Sequence, residues 1–118
     1  MKREASLMGL DRELALSRVG GDLELLKEIA AIFVAEAPKM IAEITGAIAS
    51  GDHELLERAA HSMKGAAANF GAQSVVSAAL RLETMGRQHD VAGLDDALQA
   101  LQSVLPVLQH ELESLRDS

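Results

Sequence analysis

The stretch GLDDALQALQSVLPVLQHELESLR, from Gly93 to Arg116, repeats leucine at positions 94, 98, 101, 105, 108, 112 and 115. The steps alternate between four and three residues, which places every leucine on one face of a helix. Taken alone this is a coiled-coil seam. Two features turn it into part of a bundle within one chain. Pro106 sits inside the seam, where a long regular coiled coil would lose a hydrogen bond and meet a clash one turn back. Upstream, three more apolar stripes of similar period are joined by short connections, so that sequential antiparallel neighbours can cover one another.

Those stripes are legible in order. Asp11 caps a short helix to about Arg18, and Gly20-Gly21 breaks it, leaving a small arm. Asp22 opens a long helix in which Leu26, Ile29, Phe33, Ala37, Met40, Ile44 and Ala47 recur at helical spacing to Gly51. The register passes straight through Pro38, which predicts a bend just before that residue and not a break. Asp52 caps a third helix with the stripe Leu56, Ala60, Met63, Ala67 and Phe70, stopped by Gly71. A fourth, from Gln73 to Gln88, buries Val75, Ala79, Leu82 and Met85, with Gln88, His89 and Asp90 as its turn. The expected fold is all-α, an antiparallel up-and-down four-helix bundle with a short extra N-terminal helix, forming a single domain over residues 1–118.

Composition agrees and narrows the function. Apolar residues make up 48%, mostly Ala and Leu, while aromatics are 2%, too few for most β-cores or for stacking on bases. A net charge of −7 argues against a phosphate-backbone partner, so no nucleic acid is expected. The absence of cysteine removes thiolate catalysis and cysteine-ligated metals. No apolar run reaches the roughly 18 residues of a membrane span, and the start lacks a signal-peptide core. A cytoplasmic protein without a membrane partner is expected.

Of the four histidines, His53, His61, His89 and His110, only His61 has a distinctive setting. Residues three and four places on share its helix face, so His61, Lys64, Gly65 and Ala68 form one patch, while Ala60, Met63 and Ala67 turn inward. Helical side chains lean toward the N-terminus, so a side chain at position 65 would lean over the imidazole. Position 65 has none. Glycine inside a helix costs about 1 kcal/mol relative to alanine, and three alanines follow it. The reading preferred here is that Gly65, with Ala68, lets a second macromolecule reach the ring; a notch for close helix packing is the alternative. A free imidazole, with a pKa of about 6.5, is largely neutral at pH 7 and carries a nucleophilic nitrogen suited to accepting and returning a phosphoryl group. The Lys64 ammonium would then offset phosphoryl charge. His53, Glu57 and His61 also follow one another at steps of four, but no fourth ligand is evident and no metal is expected.

The segment Ala60-His61-Ser62-Met63-Lys64-Gly65-Ala66-Ala67-Ala68-Asn69-Phe70-Gly71-Ala72 resembles the histidine-containing phosphotransfer (HPt) domains of bacterial phosphorelays, whose signature sets Lys-Gly three and four residues after the phosphorylated histidine. Gly21-Asp22, Gly51-Asp52 and Leu82-Glu83 fit further parts of the pattern, and the similarity covers about residues 10–115. The resemblance implies a four-helix bundle that takes a phosphoryl group on His61 from a receiver-domain aspartate and passes it to another receiver. It implies Lys64 as the electrostatic partner, Gly65, Ala68 and Glu83 as docking residues, and no ATP-binding or kinase activity. In relatives a glutamine or glutamate near position 83 often lies beside the histidine; an anion there would repel a phosphoryl group unless it orients the ring by a hydrogen bond. The partners implied are response-regulator receiver domains and a hybrid histidine kinase. The resemblance implies that the chain itself binds no cofactor and that Mg²⁺ is held by the receiver; a monomer is expected. The rival readings are a non-catalytic helical adaptor and an excised C-terminal domain of a hybrid sensor kinase.

Overall fold

The computed structural model describes residues 9–116, and among these the chain is entirely helical, with five helices. They are α1 (Arg12–Arg18), α2 (Leu23–Ser50), α3 (His53–Ala68), α4 (Gln73–Gln88) and α5 (Leu94–Leu115). The four long helices pack in a closed ring, α2 on α3, α3 on α4, α4 on α5 and α5 back on α2. None of the helices among the described residues is long and apolar enough to cross a membrane.

Local chemistry sets the boundaries. Asp11, Asp22 and Asp52 each occupy an N-cap and accept from the amide three residues on, at 3.2, 3.1 and 3.1 Å, which satisfies a donor that the helix itself leaves orphaned. At the other ends Gly51, Gly71 and His89 take left-handed backbone conformations. The amides of Asp52, Ala72 and Asp90 then fold back onto the carbonyls of Ala47, Ala67 and Met85, closing the last turns of α2, α3 and α4 in the same way. Gly71 is doubly constrained. Its φ is 63°, and a Cβ there would stand 2.6 Å from that of Asp11 and 2.7 Å from Leu14 Cδ2. The N-terminal arm therefore lies across this end of the bundle. The Asp11 amide bonds to the Phe70 carbonyl at 2.8 Å, and the Leu10 amide bonds to Glu111 of α5 at 2.7 Å.

The core follows the stripes. In α3 Leu56, Ala60, Met63 and Ala67 are all buried, as are Phe70 just past its end and Val75, Ala79, Leu82 and Met85 of α4. The two phenylalanines meet edge-on, Phe33 of α2 against Phe70 in the turn after α3, with centroids 5.5 Å apart. Such a pair adds about 0.5–1.5 kcal/mol beyond its buried area. In α2 Ile29 and Met40 are only half-buried and Ala30 takes a fully buried place, so the stripe is rotated slightly from the one read in the sequence. α2 runs unbroken through Pro38, and α5 through Pro106. Both prolines line one apolar groove of about 270 Å³ between these two helices.

Six leucines of the α5 seam are buried, whereas Leu98 is half-buried and Ala97 faces the core in its place. A helix of 3.6 residues per turn drifts against a 3.5-residue pattern, so a straight-packed bundle does not hold every seam position equally. Replacing Leu108 with alanine should therefore cost about 2–5 kcal/mol in urea unfolding, and Leu98→Ala clearly less. Equal losses would mean that the seam packs as a continuous coiled-coil stripe.

Candidate functional site

α3 places His61 in its middle turns, with Ala60 and Met63 on either side sealed in the core. That packing fixes the helix while the imidazole stays 65% exposed. Its Nδ1 lies 3.0 Å from Oε2 of Glu83 on α4, a side chain only 6% exposed. Glu83 is the one buried polar or charged residue among those described.

A buried carboxylate is tolerated only with charge partners. Lys64 Nζ stands 2.7 Å from Oε1, an ion contact whose alignment is not that of a good hydrogen bond. Arg87, one turn along α4, places NH2 3.1 Å from Oε2, and its Nε is 3.1 Å from Glu57 Oε2 back on α3. Lys64, followed by the His61 hydrogen bond, holds the Glu83 carboxyl below its ordinary value near 4.5 against the opposing effect of burial. An ionised carboxylate only accepts hydrogen bonds, so the Nδ1 of a neutral His61 carries the proton and donates it. Nε2 is then the nitrogen with the free lone pair.

Sequence reasoning grouped Glu83 with Gly65 and Ala68 as docking residues. In the structure the Glu83 carboxylate turns inward to meet two cations and the ring, and its contact with the ring is the orienting hydrogen bond expected if an anion stands beside the histidine. Lys64 is likewise 27% exposed and pointed at Glu83. Gly65 is exposed, and a Cβ added there would meet nothing within 4 Å. The packing-notch alternative thus fails for Gly65. It holds at Gly86, where a Cβ would stand 2.8 Å from the Glu57 amide nitrogen and 3.0 Å from the His53 carbonyl. Ala68 is half-buried, one turn beyond Gly65.

Sequence reasoning missed Gly86 and Arg87. The signal for Arg87 was its place four residues after Glu83, but a pairing across to α3 needs the register between helices. The remaining histidines lie elsewhere. His53 stacks on His89 with centroids 4.4 Å apart, and His110 is exposed on α5. Among the described residues no group of three His, Cys, Asp or Glu side chains has the arrangement of a metal site.

Two outcomes follow from this geometry. Gly65→Ala should raise the unfolding free energy by about 0.5–1 kcal/mol, since helix propensity is gained in open space. Gly86→Ala should lower it by about 1–3 kcal/mol through backbone crowding, and urea titrations followed by circular dichroism read both. The second concerns Glu83, whose carboxyl is held low in the fold. Its contribution is complete above the unfolded value and is lost as pH falls through the lower folded value. The stability difference between the parent and Glu83→Gln should therefore be largest near neutrality and shrink as pH drops from about 4.5. A difference that stays constant down to the acid limit would mean that the carboxylate is not held by its cations.

Comparison with known proteins yields two matches. The family model of the Hpt domain matches residues 28–118. Among solved structures, the crystal structure of histidine-containing phosphotransfer protein B (HptB) from Pseudomonas aeruginosa PAO1 superposes with a TM-score of 0.84 at 19% identity. The match covers 92% of this chain and 94% of that one. No curated protein matches the chain.

Proposed function

The chain belongs to the Hpt domain family, and from that premise we propose that it is a phosphorelay intermediate carrying the phosphoryl group on Nε2 of His61. The observation that carries this reading is the pairing of an exposed ring with a buried acceptor: Nδ1 is engaged by Glu83 while most of the imidazole faces solvent. Such an imidazole has a fixed orientation and one available nucleophilic nitrogen, which is the main requirement for a reaction governed by positioning and electrostatics.

In the accepting step the Nε2 lone pair attacks phosphorus of a receiver aspartyl phosphate. The P–O bond to the aspartate breaks, the N–P bond forms, and the aspartate leaves as a carboxylate. The proton on Nδ1 stays where it is, and Glu83 stabilises the positive charge that develops on the ring. Passing the group to a second receiver reverses these bond changes. Lys64, which neutralises Glu83 before transfer, is close enough along the helix face to turn toward phosphoryl oxygens once they arrive. The receiver supplies Mg²⁺ and the acidic pocket, and Gly65 and Ala68 keep the surface low beneath it. On this reading the four long helices form an antiparallel up-and-down bundle, and the chain works as a cytoplasmic monomer without kinase activity of its own.

The test mixes the chain with a panel of phosphorylated receiver domains and Mg²⁺. Label should move to this chain in an acid-labile, alkali-stable form, be lost in His61→Gln and persist in His110→Gln. Gly65→Gln should remain folded but slow the transfer by about tenfold or more, the scale of a misplaced reaction partner. No transfer from any receiver would remove the relay reading, and an unimpaired Gly65→Gln variant would remove the docking role of that glycine.

A further inference from the structure

The Glu83 carboxylate has three claimants, and their geometry is unequal. Lys64 takes Oε1, while His61 Nδ1 and Arg87 NH2 share Oε2 at 3.0 and 3.1 Å. Arginine beside a carboxylate favours a two-pronged fork, which a partner four residues away on the same helix is placed to make. Arg87 does not make the side-on fork, because its Nε is engaged 3.1 Å from Glu57 Oε2 on the other helix.

We propose that Glu57 is a positioning residue for His61 that acts through Arg87. By holding Nε, Glu57 limits the guanidinium to a single contact on Glu83, and this leaves room on Oε2 for the imidazole proton. The four residues form a chain of contacts that crosses between the helices twice: Glu57 of α3 to Arg87 of α4, Arg87 to Glu83 one turn away on the same helix, and Glu83 back to His61, one turn from Glu57 on α3. Without Glu57, the Nε of Arg87 is released toward Glu83, and the fork it completes draws the guanidinium more tightly onto the carboxylate, at the expense of the ring that shares Oε2. The ring then loses its preference for carrying the proton on Nδ1, and with it the orientation that presents Nε2 outward.

The arrangement has little to do with holding the bundle together. The side chains of Glu57 and Arg87 are 37% and 53% exposed, and a solvent-screened pair of this kind contributes about 0–1 kcal/mol. Variants at either position should fold, so a local readout is decisive. The inference deepens the relay reading and rests on it for its consequence in transfer, but the state of the ring is measurable without any receiver.

The experiment records long-range ¹H–¹⁵N spectra of the His61 ring in the full chain at about pH 9, where an imidazole is neutral and its tautomers are resolved. Glu57→Gln should lower the ratio of Nδ1–H to Nε2–H tautomer by about threefold, the scale of one screened ion pair. Arg87→Gln should raise the ratio, and the double variant should match Arg87→Gln alone. An unchanged ratio in Glu57→Gln overturns the proposal. So does an equal drop on the Arg87→Gln background, which would mean that Glu57 acts on the ring directly. Failure of phosphoryl transfer from every receiver would count against the relay reading and leave these ratios as they are.

Discussion

One carboxylate, that of Glu83, constrains how the two central helices meet. Removing an ion from water costs several kcal/mol unless charges and hydrogen bonds replace the lost hydration. Here the replacements come from both helices: Lys64 and His61 from α3, Arg87 from α4 itself. A shift of α3 along α4 by one residue would swing these groups away and strand the charge, so the carboxylate specifies the register as well as tolerating it. The approach also has to be close. Ala60 and Ala67 on α3 and Ala78, Ala79 and Gly86 on α4 are all buried, and at Gly86 the backbones come so near that no Cβ fits without movement. The glycine where the two backbones meet and the charged residue one turn before it are parts of one solution.

The outer face of α3 shows the opposite character. At Gly65 nothing among the described residues would resist a Cβ, and alanine would serve the helix better. A residue that is locally unfavourable and has no packing reason among the described residues is what the proposed docking of a partner would account for. The two glycines therefore illustrate different demands on the same helix pair. Gly86 is needed by α3, whereas Gly65 leaves the open surface that docking at His61 would require under the relay reading.

The sequence carried the helices well because period and capping are local properties. Asp11, Asp22 and Asp52 marked the starts of α1, α2 and α3, and the leucine seam of α5 and the stripe of α3 are buried largely as spacing implies. The discrepancies arise wherever two helices decide together. Leu98 yields its core place to Ala97, and the packing glycine proves to be Gly86. Glu83 makes the hydrogen bond to the ring that its place near the histidine suggested, but its inward turn and its second cation, Arg87, were not legible. Spacing along one helix says which residues share a face, but not which residue of a neighbour stands opposite. The charge partners of Glu83 were all visible in the sequence as separate residues, and only the fold brings Glu57 and Arg87 into the same arrangement as His61.

The charge balance of this arrangement bears on why a phosphoryl group would move on. With His61 neutral, the two carboxylates of Glu57 and Glu83 are matched by the two cations of Lys64 and Arg87. A phosphoryl group on the ring adds about two negative charges, offset by one on the imidazolium. Lys64 then faces two anions and satisfies one of them fully only by leaving the other, and Arg87 is already divided between Glu57 and Glu83. No further cation comes from this cluster, and the chain as a whole carries a net charge of −7. Under the relay reading the phosphorylated state is thus held in position by the fold but left electrostatically incomplete by it. A receiver that brings its own divalent cation completes the balance at the moment of docking, so the same shortfall that keeps the group transferable also favours a partner able to make it good.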